Sequence, residues 1–320
     1  MSSLEALQAN LLSPMVLAFA LGIVATLVRS NLKLPDGLYD TLAIYLLLAI
    51  GLKGGVALAE HGLGPVLVPA IAALALGVAT PVWCFHILTR LGGFAAVDAG
   101  AIAAHYGSVS AVTFITSLAF LEKLGVPSEG FLPALVALLE VPGIVVALYL
   151  AQAGRGHAWG GVVRELLTGK SVVLLVGGIA IGWLSGPSGM AQVAPLFEGL
   201  FKGALTLFLL DMGLLTARRF RDLRQAGPFL VVFGVVMPVL HGLIGVLLGT
   251  WTGLSQGGAT VFGVLAASAS YIAAPAAVRI ALPQANPSLY LTASLVITFP
   301  FNLVVGIPLL HAFARLLQPR

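Results

Sequence analysis

The chain has 320 residues, of which 59% are hydrophobic and only 9% are charged. Because a soluble domain carries about 25% charged residues, this composition excludes a water-soluble protein and predicts a polytopic membrane protein. The formal net charge is +4, but the basic residues stand in short connections between apolar runs, so the charge does not indicate a nucleic-acid-binding surface.

Ten apolar runs near the length of a membrane crossing predict ten transmembrane helices and an all-α fold. The predicted spans are 13–30, 38–59, 63–90, 97–121 and 131–152, followed by 170–187, 195–216, 227–252, 257–282 and 289–315. No basic region stands before the first run, so we expect it to be retained rather than cleaved as a signal peptide.

The two halves of the chain resemble each other in order. Leu-Gly-Pro-Val at 63–66 is similar to Ala-Gly-Pro-Phe at 226–229. Ile-Ala-Ala-His-Tyr-Gly-Ser at 102–108 corresponds to Leu-Ala-Ala-Ser-Ala-Ser-Tyr at 265–271, and the two members of this pair are as far apart in the chain as those of the first pair. These echoes predict a repeat of five spans plus five.

Five is an odd number, so the second repeat enters the membrane from the opposite side, which predicts an inverted repeat. The first repeat covers residues 1–153, the second covers 170–320, and 154–169 form a short cytoplasmic connection. This symmetry places the fourth and ninth spans in equivalent positions.

The distribution of basic residues predicts the orientation, because Lys and Arg accumulate on the cytoplasmic side. Most of them follow odd-numbered spans: Arg29, Lys33, Arg90, Arg155, Arg164, Lys170, Arg218, Arg219, Arg221, Arg224 and Arg279. The odd-numbered connections are therefore expected in the cytoplasm and both termini outside, although Arg315 and Arg320 argue against it.

Polar residues interrupt the fourth span. Tyr106, Ser110, Thr113 and Ser117 recur with helical spacing and share one face. Gly107 would let the helix unwind there and expose backbone groups to a small ligand. The alternative is a tightly packed interface whose hydroxyls bond their own helix carbonyls.

The ninth span carries a matching group at Ser268, Ser270 and Tyr271. Pro275 has no N–H, so the Tyr271 carbonyl would lose its helical partner and could join the two serine hydroxyls as a sodium ligand. Half-helix N-termini at two such breaks would point N–H groups at an anion. A plain proline kink is the alternative.

Glu140 is an acidic residue in the middle of the fifth span, just before Pro142, and Asn302 lies near the equivalent place in the tenth span. We interpret Glu140 as a buried charge that balances a cation; the alternative is a carboxyl that caps a helix break or pairs with His105. The predicted sodium ligands are Ser108, Ser110, Thr113, Ser270, Tyr271, Glu140 and Asn302.

Several chemistries lack their residues in this sequence. There is no phosphate-binding loop of the ATPase type and no Cys/His cluster for a structural metal. His105 and Ser108 are three residues apart on one helix, which is poor geometry for a catalytic dyad. We therefore expect a transporter without cofactors rather than an enzyme.

At these residues the chain resembles the sodium-dependent bicarbonate transporters of the SbtA type. The run Ala-Ala-His-Tyr-Gly-Ser-Val-Ser-Ala-Val-Thr-Phe at 103–114 carries the resemblance, supported by Gly-Leu-Lys-Gly-Gly at 51–55 and Ala-Leu-Leu-Glu-Val-Pro-Gly at 137–143. The likeness extends over nearly the whole chain in the same order.

This resemblance implies a homotrimer in a bacterial inner membrane that imports bicarbonate together with sodium by elevator-type alternating access. Spans 3–5 and 8–10 would form a moving core, and spans 1, 2, 6 and 7 a gate. By position, the resemblance implies a substrate site at Gly107, Ser108, Val109, Ser110, Ser268, Ala269, Ser270 and Tyr271.

One departure concerns regulation. Family members from photosynthetic bacteria carry a long cytoplasmic segment after the fifth span and are inhibited by a PII-like trimeric partner, whereas this connection is short, so such a partner is doubtful here. Two alternatives for the function stay open: a sodium-coupled symporter of another small or organic anion, and a membrane regulatory or scaffold protein that no longer transports.

Overall fold

The computed structural model describes residues 3–35, 37–152 and 159–318, and these residues form helices and no strand. The first half contains α1 Ser3–Leu11, α2 Pro14–Leu27, α3 Leu38–His61, α4 Gly64–Arg90, α5 Ala96–Gly107, α6 Ala111–Lys123, α7 Leu132–Leu139 and α8 Pro142–Gln152. The second contains α9 Trp159–Leu167, α10 Lys170–Ala194, α11 Phe201–Arg218, α12 Leu223–Trp251, α13 Gln256–Ala267, α14 Ala273–Ala281, α15 Pro287–Leu291, α16 Phe299–Phe301 and α17 Ile307–Leu317.

The helices confirm a multi-pass membrane protein. Within the described residues, seven helical segments are long and apolar enough to cross a bilayer, and α1 with α2, bent by 53°, would make an eighth. The count of ten stays a prediction, because α11 carries Lys202, Asp211 and Arg218 and because α13 and α14 are each shorter than a span.

Helix boundaries differ from the predicted spans at three places. The first span is preceded by α1, and the predicted central connection contains α9, whose amphipathic turn buries Val162 and Leu166. The tenth span is irregular: two π-helical stretches, Thr292–Thr298 and Asn302–Gly306, interrupt it. Residues 154–158 of the connection, with Arg155, and Arg320 lie outside the described residues.

Four of the long helices cross in two close pairs, α2 with α11 and α3 with α10. Glycines make both crossings possible: a Cβ at Gly213 would lie 2.1 Å from the Phe19 carbonyl oxygen, and a Cβ at Gly55 would lie 2.1 Å from the Ile179 carbonyl oxygen. Small residues that let backbones approach closely are common at helix–helix interfaces in a bilayer.

Other helices pack in a second set of contacts. In the first half α4 packs on α5 and α8, and α5 packs on α8; in the second half α12 packs on α13 and α17, and α13 packs on α17. The two sets meet where α7 packs against α3 and α10.

The basic connections gather at one end of the molecule, which we name the basic end. Asp40 at the start of α3 forms an ion pair with Lys170 at the start of α10, and a cavity there is also lined by Arg219 and Arg279. At the opposite end Lys202 pairs with Glu122 at 2.8 Å.

Candidate binding site at the crossing of two broken helices

The first break follows Gly107, the last residue of α5, and α6 begins at Ala111. Gly107 lies against Gly143 of α8 so closely that a Cβ at Gly143 would stand 1.9 Å from the Gly107 carbonyl oxygen. Ser108 has an extended backbone (φ −113°, ψ 169°), and its hydroxyl donates to the Glu140 carbonyl at 3.0 Å. The fifth span, itself interrupted between α7 and α8, thus supports this break.

The second break runs from Ser268 to Ile272, between the end of α13 and the start of α14. The Ser268 hydroxyl donates to the Leu265 carbonyl at 2.8 Å, and the Ser270 hydroxyl accepts from the Ala274 N–H at 3.3 Å. Pro275 is the third residue of α14, where a missing N–H costs little. The Tyr271 carbonyl therefore lies outside the helix because α14 begins after it, not because Pro275 removes its partner.

The two breaks cross and bond to each other. The Ser270 N–H donates to the His105 carbonyl at 2.8 Å, and the Ser110 N–H donates to the Ser268 hydroxyl at 2.9 Å. The Ser110 hydroxyl donates to the Tyr271 hydroxyl at 3.3 Å. We name residues 107–110 together with 268–271 the crossing; all eight are buried.

Hydroxyl oxygens are concentrated at the crossing. Thr113 donates to the Ser110 oxygen with its backbone N–H at 3.2 Å and with its hydroxyl at 2.9 Å. Ser108 and Ser270 are each 1% exposed. Neutral oxygens of this kind are ligands that a hard cation prefers, whereas the described residues hold no His/Cys/Asp/Glu group that could bind a transition metal.

Four helix ends meet at the crossing with opposite polarity. The breaks bring the N-termini of α6 and α14 to the same region as the C-termini of α5 and α13. N-terminal N–H groups favour an anion, and C-terminal carbonyls favour a cation. The arrangement can therefore hold a cation and an anion side by side.

Asn302 lies next to the crossing, and part of its amide is free. Its Nδ2 donates to the Ala267 carbonyl, the last residue of α13, at 2.7 Å. Its Oδ1 is buried and has no hydrogen-bond partner in the described structure. Asn302 thus fixes the end of α13, and its Oδ1 lies close to Gly306, about one turn further along its own helix.

The Glu140 carboxyl points elsewhere than predicted. The residue is 3% exposed, and its backbone carbonyl, not its carboxyl, receives the Ser108 hydroxyl. The carboxyl interacts with Ser171 of α10, and its Oε2 has no hydrogen-bond partner in the described residues. The structure therefore brings Ser110, Thr113, Ser268 and Tyr271 into one hydrogen-bonded cluster. The Ser108 and Ser270 hydroxyls bond the Glu140 carbonyl and the Ala274 N–H beside it, and the Glu140 carboxyl lies outside the cluster.

Two supporting contacts were not assigned to the site from the sequence. The Tyr106 hydroxyl lies 2.6 Å from the Thr298 hydroxyl, which donates to the Gly234 carbonyl at 2.7 Å. The ring of Phe299 packs against the Tyr271 ring at 5.3 Å between centroids. Both partners come from the tenth span near Pro300, where Phe-Pro at 299–300 stands in a place similar to that of Val-Pro at 141–142 in the fifth span.

A cavity connects the crossing to the basic end. It has a volume of about 470 Å³ and is lined at its inner limit by Tyr271, Ile272 and Ala273, and at its mouth by Lys170 and Arg279. On the other side of the first break a second cavity, lined in part by residues 106–109, has only about 20 Å³, enough for about one water molecule. The cavity thus reaches the edge of the crossing at Tyr271 from the basic end.

The family model of the Na+-dependent bicarbonate transporter superfamily matches residues 14–315, which include both breaks and every residue of the crossing. This result confirms the resemblance carried by residues 103–114. No curated protein matches the chain.

Proposed function

The chain belongs to the Na+-dependent bicarbonate transporter superfamily, and we propose that it imports bicarbonate together with sodium across a bacterial inner membrane. The observation that carries the proposal is the hydrogen-bonded crossing of two broken helices at residues 107–110 and 268–271. Transporters of this broken-helix design bind substrate and coupling ion where unwound backbone lies near the bilayer midplane.

The contacts between helices support an inverted repeat. A repeat of five plus five spans relates the first span to the sixth and the second to the seventh. It therefore relates the contact of α2 with α11, from the first and seventh spans, to the contact of α10 with α3, from the sixth and second. The ends of the broken spans make matching contacts as well. Asp98 of α5 accepts from the Asn286 N–H at 2.8 Å, and Glu129 accepts from the Ser255 N–H before α13 at 2.6 Å. In each case the connection after one broken span holds the start of the other.

In the proposed cycle, sodium binds first at the oxygens of Ser108, Ser110, Thr113, Ser270 and Tyr271, with the free Oδ1 of Asn302 beside them. Its charge lowers the cost of burying an anion in an apolar interior. Bicarbonate then binds between the N-termini of α6 and α14, next to Val109 and Ala269. An elevator motion moves the core, α4–α8 with α12–α17, along the gate, α2, α3, α10 and α11.

The cavity at the basic end supports an inward-facing state. Positive-inside counting assigns the basic end to the cytoplasm, so the 470 Å³ cavity that reaches Tyr271 would be the route of release. The small cavity near Gly107 favours a small substrate. The resemblance of the chain to transporters of the SbtA type makes a homotrimer the proposed assembly, and the short central connection argues against a PII-like partner.

The test is uptake of labelled bicarbonate into proteoliposomes at fixed pH. An inward sodium gradient should accelerate uptake, and an equal potassium gradient should not. Uptake that ignores sodium would contradict the coupling. Accumulation of another small or organic anion in place of bicarbonate would favour the second symporter, and the absence of any uptake or binding would favour a regulatory protein.

A further inference from the structure

Helix α1 lies outside the family match, which begins at Pro14, the first residue of α2. It is joined to α2 by Leu12 and Ser13 only, with a bend of 53°. We name α1 with this two-residue link the N-terminal strap. Because α2 packs on α11, the strap is covalently tied to the proposed gate.

The body of the strap packs instead on the proposed core. Helix α1 contacts α17 and the π-helical stretch Asn302–Gly306, and Ala6 is buried at 3% exposure among the residues of the hydrophobic core. The Lys123 ammonium, at the end of α6, donates to the Ala9 carbonyl at 2.6 Å. The strap therefore bridges the two groups of helices at the end opposite the basic end.

Asn10 makes the central contact of the strap. It is 3% exposed, and its Nδ2 donates to the Leu303 carbonyl at 2.8 Å, with a longer contact of 3.4 Å to the Val304 carbonyl. These carbonyls are available because Pro308, five residues after Leu303 and four after Val304, has no N–H to offer either a π-helical or an α-helical bond. Asn10 thus donates to carbonyls of the tenth span that the proline leaves without a helical donor.

We propose that the N-terminal strap is a brake that holds the core in the position seen here, with the cavity open to the basic end. A link of two residues can extend by only about 7 Å, so a larger displacement of the core along the gate must break the contacts of α1 with the core. Loss of the Asn10 contact would leave a buried carbonyl unpaired. This inference rests on the proposed core and gate motion, but its test does not require transport.

The test measures how the inward-open state is populated. The chain has one cysteine, Cys84, which is fully buried, whereas Ala276 is exposed in the cavity. An Ala276→Cys reporter is labelled with a membrane-impermeant maleimide from the cytoplasmic side of oriented vesicles. Asn10→Leu, which removes the donor, and Asn10→Asp, which also adds a charge that repels the carbonyls, should shift the population ratio away from the labelled state by about tenfold.

Matched controls separate the brake from general damage. Gln8→Leu makes the same kind of change at an exposed position of α1 and should leave labelling as in the parent. Lys123→Gln removes only the surface contact with Ala9, should fold normally, and should reduce labelling less than Asn10→Leu does. Unchanged or faster labelling in the folded Asn10 and Lys123 variants would overturn the brake, whatever the uptake assay shows about bicarbonate.

Discussion

Individual hydroxyls of the crossing serve two purposes at once. Ser110 caps α6 through the Thr113 N–H and also donates to the Tyr271 hydroxyl. Ser270 likewise accepts from the Ala274 N–H at the start of α14. A side chain that fixes a helix end in the absence of ligand is already in place to offer its oxygen to an ion, so little rearrangement is needed on binding.

Ser110→Ala should lower the initial rate of sodium-driven uptake by about tenfold or more, because it removes an N-cap, a bond to Tyr271 and one proposed sodium ligand. Ser117→Ala is the matched control. Ser117 is on the same helix and fully buried, but its hydroxyl donates to the Phe114 carbonyl of its own helix at 2.7 Å. Equal loss in both variants would remove Ser110 from the site.

Tyr271→Phe keeps the ring that packs on Phe299 and deletes the hydroxyl that accepts from Ser110. We expect the sodium concentration for half-maximal uptake to rise several-fold while the amount of folded protein stays constant. Size-exclusion chromatography checks the fold, and uptake at graded sodium concentrations checks the affinity. An unchanged sodium dependence would mean that the hydroxyl is not a ligand.

How much of the site the sequence reveals differs between residues. Ser110, Ser268, Ser270 and Tyr271 are recognisable because the two halves of the chain repeat a polar group at the same offset. The sequence predicts the Glu140 carboxyl near these hydroxyls, whereas in the structure it interacts with Ser171, because its direction depends on how the break between α7 and α8 faces α10. Sequence spacing does not contain that information.

At the scale of elements, the two breaks have different local causes. The first ends at Gly107 where α5 meets α8, and the approach requires two glycines. The second is fixed by caps at Ser268 and Ser270, and Pro275 enters only in the first turn of α14. At the two positions that the predicted repeat makes equivalent, different residues thus produce a break.

Gly143→Ala tests the close approach of α8 to the first break. The added methyl would collide with the Gly107 carbonyl, and relief of such overpacking costs about 1–3 kcal/mol or displaces the backbone. We expect lower thermal stability and strongly reduced uptake. Gly177→Ala is the control, because a Cβ at Gly177 meets nothing within 4 Å; a comparable loss there would show that the effect is not specific to the contact.

Helix boundaries could be predicted where apolar length or a glycine–proline pair sets them. Gly186 and Gly227, which precede prolines, have φ of 62° and 71° and kink α10 and α12 near the predicted boundaries of the sixth and eighth spans. Helices α1 and α9 were missed because both are short and gain their stability from packing on the tenth span and on α14. The π-helical stretches Thr292–Thr298 and Asn302–Gly306 lie next to Pro300 and Pro308 and were likewise not predicted.

For the whole molecule, the two ends differ in charge and in access to the crossing, because the one large cavity among those described near the crossing lies at the basic end. The basic end carries the cavity, and the opposite end carries the exposed ion pair of Lys202 with Glu122. The exposed ion pair contributes little energy by itself. The difference between the two ends therefore depends on how the two groups of helices pack. The sequence predicts the inverted repeat but not this packing.

The orientation can be tested with the Ala276→Cys reporter alone. We expect an impermeant maleimide to label it from the cytoplasmic side and not from outside, because Ala276 lines the cavity at the basic end. The parent chain should not be labelled, since Cys84 is buried. Labelling from the outside only would reverse the proposed topology of the termini.

The central claim is that the two breaks form one site that binds bicarbonate only with sodium. The most direct measurement is equilibrium binding of labelled bicarbonate to the purified protein, with and without sodium, in the parent, Ser108→Ala, Ser270→Ala and the double variant. The account predicts sodium-dependent binding that either single change weakens about tenfold or more, with the double variant losing less than the two effects combined. Full binding without sodium, or normal binding when only one break is changed, would contradict it.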